Sequence, residues 1–166
     1  MAEGDLFLKV VSKAQGELKG ESEKTGKEGW IQIDSFQMGA TLPGSYGMHS
    51  GGGTGKVNFS DISFSTQASK VTPLIFQAMG NHDSLSEVQL VARKGTGTLQ
   101  EDFLWLTLTD AVFTNYSLSV SEHGAPMVSG TINYKTIEIN YKPQNADQSL
   151  GAAVLYKFDQ ALGQTA

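Results

Sequence analysis

The nine residues "WIQIDSFQM", Trp30 to Met38, carry the pattern on which the fold turns. Strand alternation puts Ile31 and Ile33 on one side and would put Phe36 and Met38 on the other. One extra residue in a ladder reverses the phase of every side chain after it, so a β-bulge at Asp34-Ser35 brings both apolar pairs to one face. Residues 56 to 66 repeat the device, with Val57 and Phe59 out of phase with Ile62 and Phe64 around Asp61. Two strands bent in this way predict a small antiparallel β-barrel or two-sheet sandwich curled around one core.

Other segments fit the same plan. Residues 5 to 10 alternate with Leu6, Leu8 and Val10 on one face. Further strands are predicted at Glu87 to Lys94, Phe103 to Val112, Thr114 to Glu122 and Val128 to Tyr141, with Val154 to Phe158 as a last edge strand. Turns fall at Gly95-Thr96-Gly97 and His123-Gly124-Ala125-Pro126. Both sides of Phe103 to Leu108 are apolar; one fills the core and the other must meet the helix or a neighbouring subunit. Ser12 to Gly29 is rich in glycine and charge and reads as a long exposed connection. One helix is expected, capped by Thr72 with Pro73 in its first turn, presenting Leu74, Ile75, Ala78 and Met79 inward. Val71 would staple onto Phe76, and Gly80 would form the C-terminal cap.

Composition narrows the function. The 166 residues are enough for one domain, residues 1 to 166, burying roughly 70% of the surface the unfolded chain exposes. There is no cysteine, which excludes disulfides, thiolate metal sites and cysteine nucleophiles. Seventeen acidic and twelve basic residues give a net charge of −5 with no basic stripe, which argues against nucleic acid as a partner. The acidic start Met1-Ala2-Glu3-Gly4-Asp5 lacks the basic region of a secretory signal, and no run is long and apolar enough to suggest membrane insertion.

"GSYGMHSGGGTGKVNF", residues 44 to 59, looks at first like a phosphate-binding loop. That loop needs a glycine where Ser50 stands, a hydroxyl where Val57 stands, and a helix where an alternating strand follows. His49, His82 and His123 lie in separate turns without metal-ligand spacing, and the acidic pairs Glu101-Asp102 and Glu21/Glu23 lie in charged surroundings. No G-x-S-x-G elbow occurs. The sequons at Asn58 and Asn115 fall in predicted strands and read as chance matches. No catalytic residue, cofactor site or metal site is therefore predicted.

The order of pieces is more specific than any single motif: Asp5-Leu-Phe-Leu-Lys9, Lys19-Gly-Glu-Ser22, Phe36-Gln-Met-Gly39, a glycine-rich loop into Gly55-Lys-Val57, Ile62-Ser-Phe64, the Thr72-Pro73 helix, Gly80-Asn-His82, and Val91-Ala-Arg-Lys-Gly95. From about residue 5 to Pro143 the chain resembles the Hcp family, the inner-tube proteins of bacterial type VI secretion systems. The resemblance implies a small β-barrel with one helix, hexameric rings stacked into a hollow tube, a spike protein at the tip and a contractile sheath around it. It implies residence in the bacterial cytoplasm followed by export through the machine without a signal peptide, and in some members carriage of effectors inside the ring. Ser45, Tyr46, Met48, His49, Ser50 and Thr54 then belong to a projecting ring-stacking loop, and Phe36, Gln37, Met38 and Trp105 become candidates for lumen or subunit-interface positions. The chain departs from the family where an aromatic-x-aromatic-Gly pattern is common, having Phe36-Gln37-Met38-Gly39. The alternatives are a phage or phage-like tail tube subunit and, third, a small all-β enzyme in which His49, His82 and a carboxylate converge.

Overall fold

The structure is a computed structural model that describes residues 5–44, 55–96 and 99–165. The chain begins with the hairpin β1 (Leu6–Ser12) and β2 (Gly16–Glu17), whose turn closes through Gly16 at φ 76. Next come β3 (Ile31–Ile33), β4 (Ser35–Gln37), β5 (Ala40–Thr41), β6 (Asn58–Phe59) and β7 (Ile62–Gln67). The helix α1 (Val71–Gly80) leads into three long strands, β8 (Leu85–Thr96), β9 (Leu99–Ser119) and β10 (Met127–Tyr141). The chain ends with β11 (Val154–Asp159) and β12 (Gln164–Thr165).

All ladders are antiparallel, and around the core they run β3, β1, β8, β9, β10, β7, β4. Among the described residues the sheet does not close into a continuous barrel. At Asp34 the Trp30–Met38 segment leaves β1 and pairs with β7, so the expected bulge is a switch of partner, held by the Asp34 N–H donating to the Ser65 carbonyl at 2.8 Å. The phase change is as the sequence demands: Ile31 and Ile33 are buried, and Phe36 and Met38 pack against the core. The second bent segment behaves likewise. It breaks at Ser60-Asp61, with Ile62 and Phe64 buried and Val57 and Phe59 partly so.

β9 and β10 organise the molecule. The two predicted strands 103–112 and 114–122 are one strand, because a bulge at Thr114 absorbs the phase change and the ladder with β10 continues across it. Asp110, at φ 51, marks where β9 leaves β8, whose ladder ends at Leu85 opposite Ala111. The other edge of β10 is shared, Met127–Ile132 with β7 and Thr136–Tyr141 with β11. β11 is therefore not quite the last strand; β12 adds two residues beside Phe158 and Asp159.

Leu8, Val10, Leu90, Leu108, Ile132 and Ile137 are wholly buried inside, and α1 covers them with Val71, Ile75 and Ala78. The helix ends differ from expectation. Thr72 lies inside the first turn and its hydroxyl accepts from the Ser69 N–H at 3.1 Å, while Lys70 holds the N-cap position without a side-chain bond. Gly80 stays helical, and the left-handed residue is His82 at φ 57. The Asp83 N–H reaches the Ala78 carbonyl at 2.8 Å and the His82 N–H the Met79 carbonyl at 3.1 Å, a Schellman closure. Phe76 stacks edge-on to Tyr116 at 4.9 Å and is 41% exposed, whereas Val71 is buried.

Ser12–Gly29 is also more structured than its polarity suggests. Leu18 is buried, and Lys27 is only 7% exposed because its Nζ meets Asp102 Oδ2 at 2.8 Å and lies 4.5 Å from the Trp30 ring centre. Charge here marks a strap tied across the sheet, since a lysine stem covers apolar surface while its head finds a partner.

Candidate functional site

Three regions hold or adjoin the positions named as assembly candidates from the sequence. The first is the foot of the loop. β5 and β6 pair through Ala40–Phe59 and Thr41–Asn58, forming a two-stranded stem separate from the main sheet. Below it, Gly39 and Ser60 are doubly joined: the Gly39 N–H donates to Ser60 Oγ at 2.8 Å, and the Ser60 N–H to the Gly39 carbonyl at 2.8 Å. The Tyr134 hydroxyl donates to the Ser60 carbonyl at 2.9 Å, and Phe59 packs on Phe158 with ring centres 4.5 Å apart. Burial, with Asp61 nearby, pushes the Tyr134 hydroxyl up to about 12, so it remains a donor throughout the physiological range. The predicted stacking residues Ser45, Tyr46, Met48, His49, Ser50 and Thr54 lie outside the described residues. Lys56 leads into strand β6, where a phosphate loop would require a helix N-terminus, and packs so closely on Gly163 that a Cβ there would meet its Cε at 2.8 Å.

The second region is the outward face of β4, β7, the upper part of β10 and the upper part of β9. Cross-strand registers align Ser35 with Ser65, Gln37 with Ser63, Ser65 with Ser129, Ser63 with Thr131, Ser129 with Ser117, and Thr131 with Asn115. Residues 35–37, 63–67, 115–119 and 127–131 contain no ionisable acid or base except Tyr116, which points inward. The hydroxyls bond to one another, Ser35 Oγ to Ser65 Oγ at 2.6 Å and Thr114 Oγ1 to Thr131 Oγ1 at 2.7 Å. At the margin, Thr114 and Asn133 hold Asp61 at 2.8 and 2.7 Å. Of the predicted lumen positions, Gln37 is exposed here, while Phe36 and Met38 turn back against the core. Behind this face, Gly130 leaves room for two rings; a Cβ there would lie 2.8 Å from Phe64 Cζ and 2.9 Å from Tyr116 Cδ2.

The third region is the outward face of β1, β8, the lower parts of β9 and β10, and β11, and it is charged. Asp102 accepts from Lys27 at 2.8 Å and from Arg93 Nε at 2.8 Å, and Arg93 Nη1 donates to the Thr25 carbonyl at 2.8 Å. Burial pushes the Asp102 carboxyl up, but the hydrogen bonds and charges of Lys27 and Arg93 outweigh it and hold the carboxyl below its ordinary value. Lys157 pairs with Glu138 at 3.1 Å. Phe7 is fully buried under this layer with the Arg93 guanidinium 5.7 Å from its ring centre, and Lys142 stands 5.3 Å from the ring of Trp105, which is half-buried. The second apolar side of Phe103–Leu108 is therefore partly covered by cations of its own chain.

Sequence reasoning missed both the hydroxyl register and the Lys27–Asp102–Arg93 group. The first had a signal, the uncharged alternate positions of four strands; the second joins residues 75 and 9 positions apart and had none. His82 and His123 stay far apart in sequence and in different elements, at the end of α1 and between β9 and β10. Among the described residues no group of three or more potential ligands is placed to hold a metal, and no helix is long and apolar enough to cross a membrane.

Residues 7–141 match the family described as "Type VI secretion system effector, Hcp". The chain is 31% identical over 144 residues to protein hcp1 of Pseudomonas aeruginosa, covering 86% of each. In three dimensions it is similar to a solved type six secretion system protein with a TM-score of 0.90 at 18% identity, over 99% of this chain and 100% of that one. It is also similar to Hcp1 from Salmonella typhimurium, TM-score 0.78 at 23% identity, over the whole of both chains.

Proposed function

Since the chain belongs to the Hcp family of type VI secretion tube proteins, we propose that it forms hexameric rings that stack into a hollow tube, with the residue 45–54 loop reaching the next ring. The observation that carries this reading is the pinned foot of the loop. Gly39, Ser60 and Tyr134 fix the direction in which the stem leaves the sheet. A contact loop needs such a base, because a rigid scaffold holds down the ordering cost when a neighbour docks. The hydroxyl face with Gln37 lines the bore, and the charged face with Trp105 lies away from it. Tube, spike and sheath then act together, effectors travel in the bore, and the assembled tube leaves the bacterial cytoplasm through the type VI machine. The family match supports this reading over a phage tail tube subunit and over an enzyme.

Native mass spectrometry tests it: the main species is six copies of the chain. A stable monomer at about micromolar concentration, a range in which specific interfaces of standard size hold together, overturns the ring. Deleting residues 45–54 leaves the ring at six copies and the thermal midpoint unchanged and abolishes stacking in electron micrographs, because loop tips contribute little to a core. Unfolding of that variant would make the loop structural instead.

A further inference from the structure

The stem of the loop has little of its own to hold it. β5 and β6 share two register pairs, and of their four residues Ala40, Thr41 and Asn58 are exposed while Phe59 turns partly inward. A two-stranded hairpin of this kind is marginal in water unless something packs against it. What packs against it here comes from the far end of the chain, beyond the residues 7–141 that carry the family match. We infer that the C-terminal hairpin, β11 and β12 with the turn between them, is the positioning element of the stem, acting through Phe158, Gln160 and Gly163. The inference deepens the tube reading and rests on it only for what the loop then does.

Each of the three residues reaches the stem by a different route. Phe158 is buried in β11 opposite Ile137, and its ring meets that of Phe59 at 4.5 Å between centres. Gln160 donates its backbone N–H to the Lys135 carbonyl and its side-chain amide to the Tyr134 carbonyl, both at 2.8 Å. The hydroxyl of that Tyr134 donates in turn to the Ser60 carbonyl at 2.9 Å, at the base of the stem. Gly163 lies against Lys56, whose Cδ, Cε and Nζ all fall within 3.8 Å of where a Cβ would stand, so the aliphatic part of the lysine rests on bare backbone. The turn that carries these groups is itself closed. Asp159 Oδ1 accepts from the N–H groups of Ala161 and Leu162 at 2.8 and 3.1 Å, and Gly163, at φ 66, donates its N–H to the Asp159 carbonyl at 2.8 Å. Between the contacts the fit is open, since a hollow of about 310 Å³ lies among Lys56, Val57, Asn58, Phe158 and Gln160. A stem that meets its support at a few points beside a void has room to tilt when one point is removed, whereas a close-packed stem resists.

The chain has no cysteine, so Leu42→Cys, at an exposed position just past β5, takes a nitroxide label at one place, and Thr109→Cys, exposed on β9, serves as control. Spin-label line shapes of the full-length protein read the motion. In Gln160→Ala and in Lys56→Ala the label at residue 42 moves at least about twofold faster than in the parent chain, while the label at residue 109 is unchanged. The thermal midpoint falls by no more than about 4 °C, the size of one hydrogen bond in a chain of this length. Lys56→Met, which keeps the aliphatic part and drops the charge, behaves as the parent. Phe158 is left intact because it also fills the core. Unchanged motion at residue 42 in both alanine variants, equal loosening at residue 109, or a Lys56→Met as loose as Lys56→Ala overturns the inference. The same samples are weighed by native mass spectrometry and viewed by electron microscopy. A looser stem in chains that form no rings supports the role of the C-terminal hairpin and overturns the tube; an unchanged stem in hexamers that stack overturns that role and leaves the tube.

Discussion

The two outward faces of this molecule are built on the same two strands, yet they are held in opposite ways. On the hydroxyl face, the surface groups only bond sideways to one another, and order comes from behind, where Phe64 and Tyr116 press on Gly130. On the charged face, the surface groups themselves tie elements together, because Asp102 joins the strap at Lys27 to Arg93 of β8 across the sheet. A face stabilised from behind leaves its outer atoms free for another molecule. One stabilised at its surface has already used them.

Substitutions at the two faces sharpen this contrast. The largest effect is expected from Gly130→Val, since even the first carbon of the new side chain would overlap two rings in a close-packed interior; a loss of about 3 kcal/mol is expected, read as a lower denaturant midpoint at unchanged slope. Next is Asp102→Ala, which strands the Lys27 and Arg93 side chains, 9% and 12% exposed, without their shared anion. A loss of about 2 kcal/mol follows, and an unchanged midpoint would show that these charges are ordinary surface pairs.

Acid sharpens it further. Asp102 is held below its ordinary value in the folded chain, so the folded state takes up its proton later than the unfolded one. Its contribution is fully present above the usual carboxylate range and is lost as the pH falls through and below that range. Thermal midpoints measured down an acid series should therefore fall less steeply in Asp102→Asn than in the parent chain. The smallest effect belongs to Ser65→Ala, which removes one exposed partner of Ser35. A change within about 0.5 kcal/mol is expected, and a larger one would mean that the hydroxyl ladder also holds the fold.

The bent strands were legible because hydrophobic phase is a local signal: Ile31, Ile33, Phe36 and Met38 had to share one interior, and they do. What the chain does at the bend was not legible. Whether Asp34 marks a bulge or a change of partner depends on β1 and β7, which are distant in sequence. The helix was found with its ends displaced, because His82 adopts the left-handed conformation usually given to glycine once Schellman bonds hold it there. β9 was divided in two because a bulge looks like a strand end when the partner strand is unknown. For the site, the resemblance makes Phe36, Gln37, Met38 and Trp105 lumen or interface candidates alike; in the fold Gln37 is exposed, Phe36 and Met38 pack against the core, and Trp105 is half-buried beside Lys142. Packing of long cationic stems over rings leaves no mark in a one-dimensional pattern.

The junction at Gly39 and Ser60 also governs how the chain tolerates editing. Because two strands are buttoned together below the stem, a peptide tag or a small folded module spliced in beyond Gly44 would inherit a closed pair of ends, and the fold beneath would experience the same boundary whatever the length of the insert.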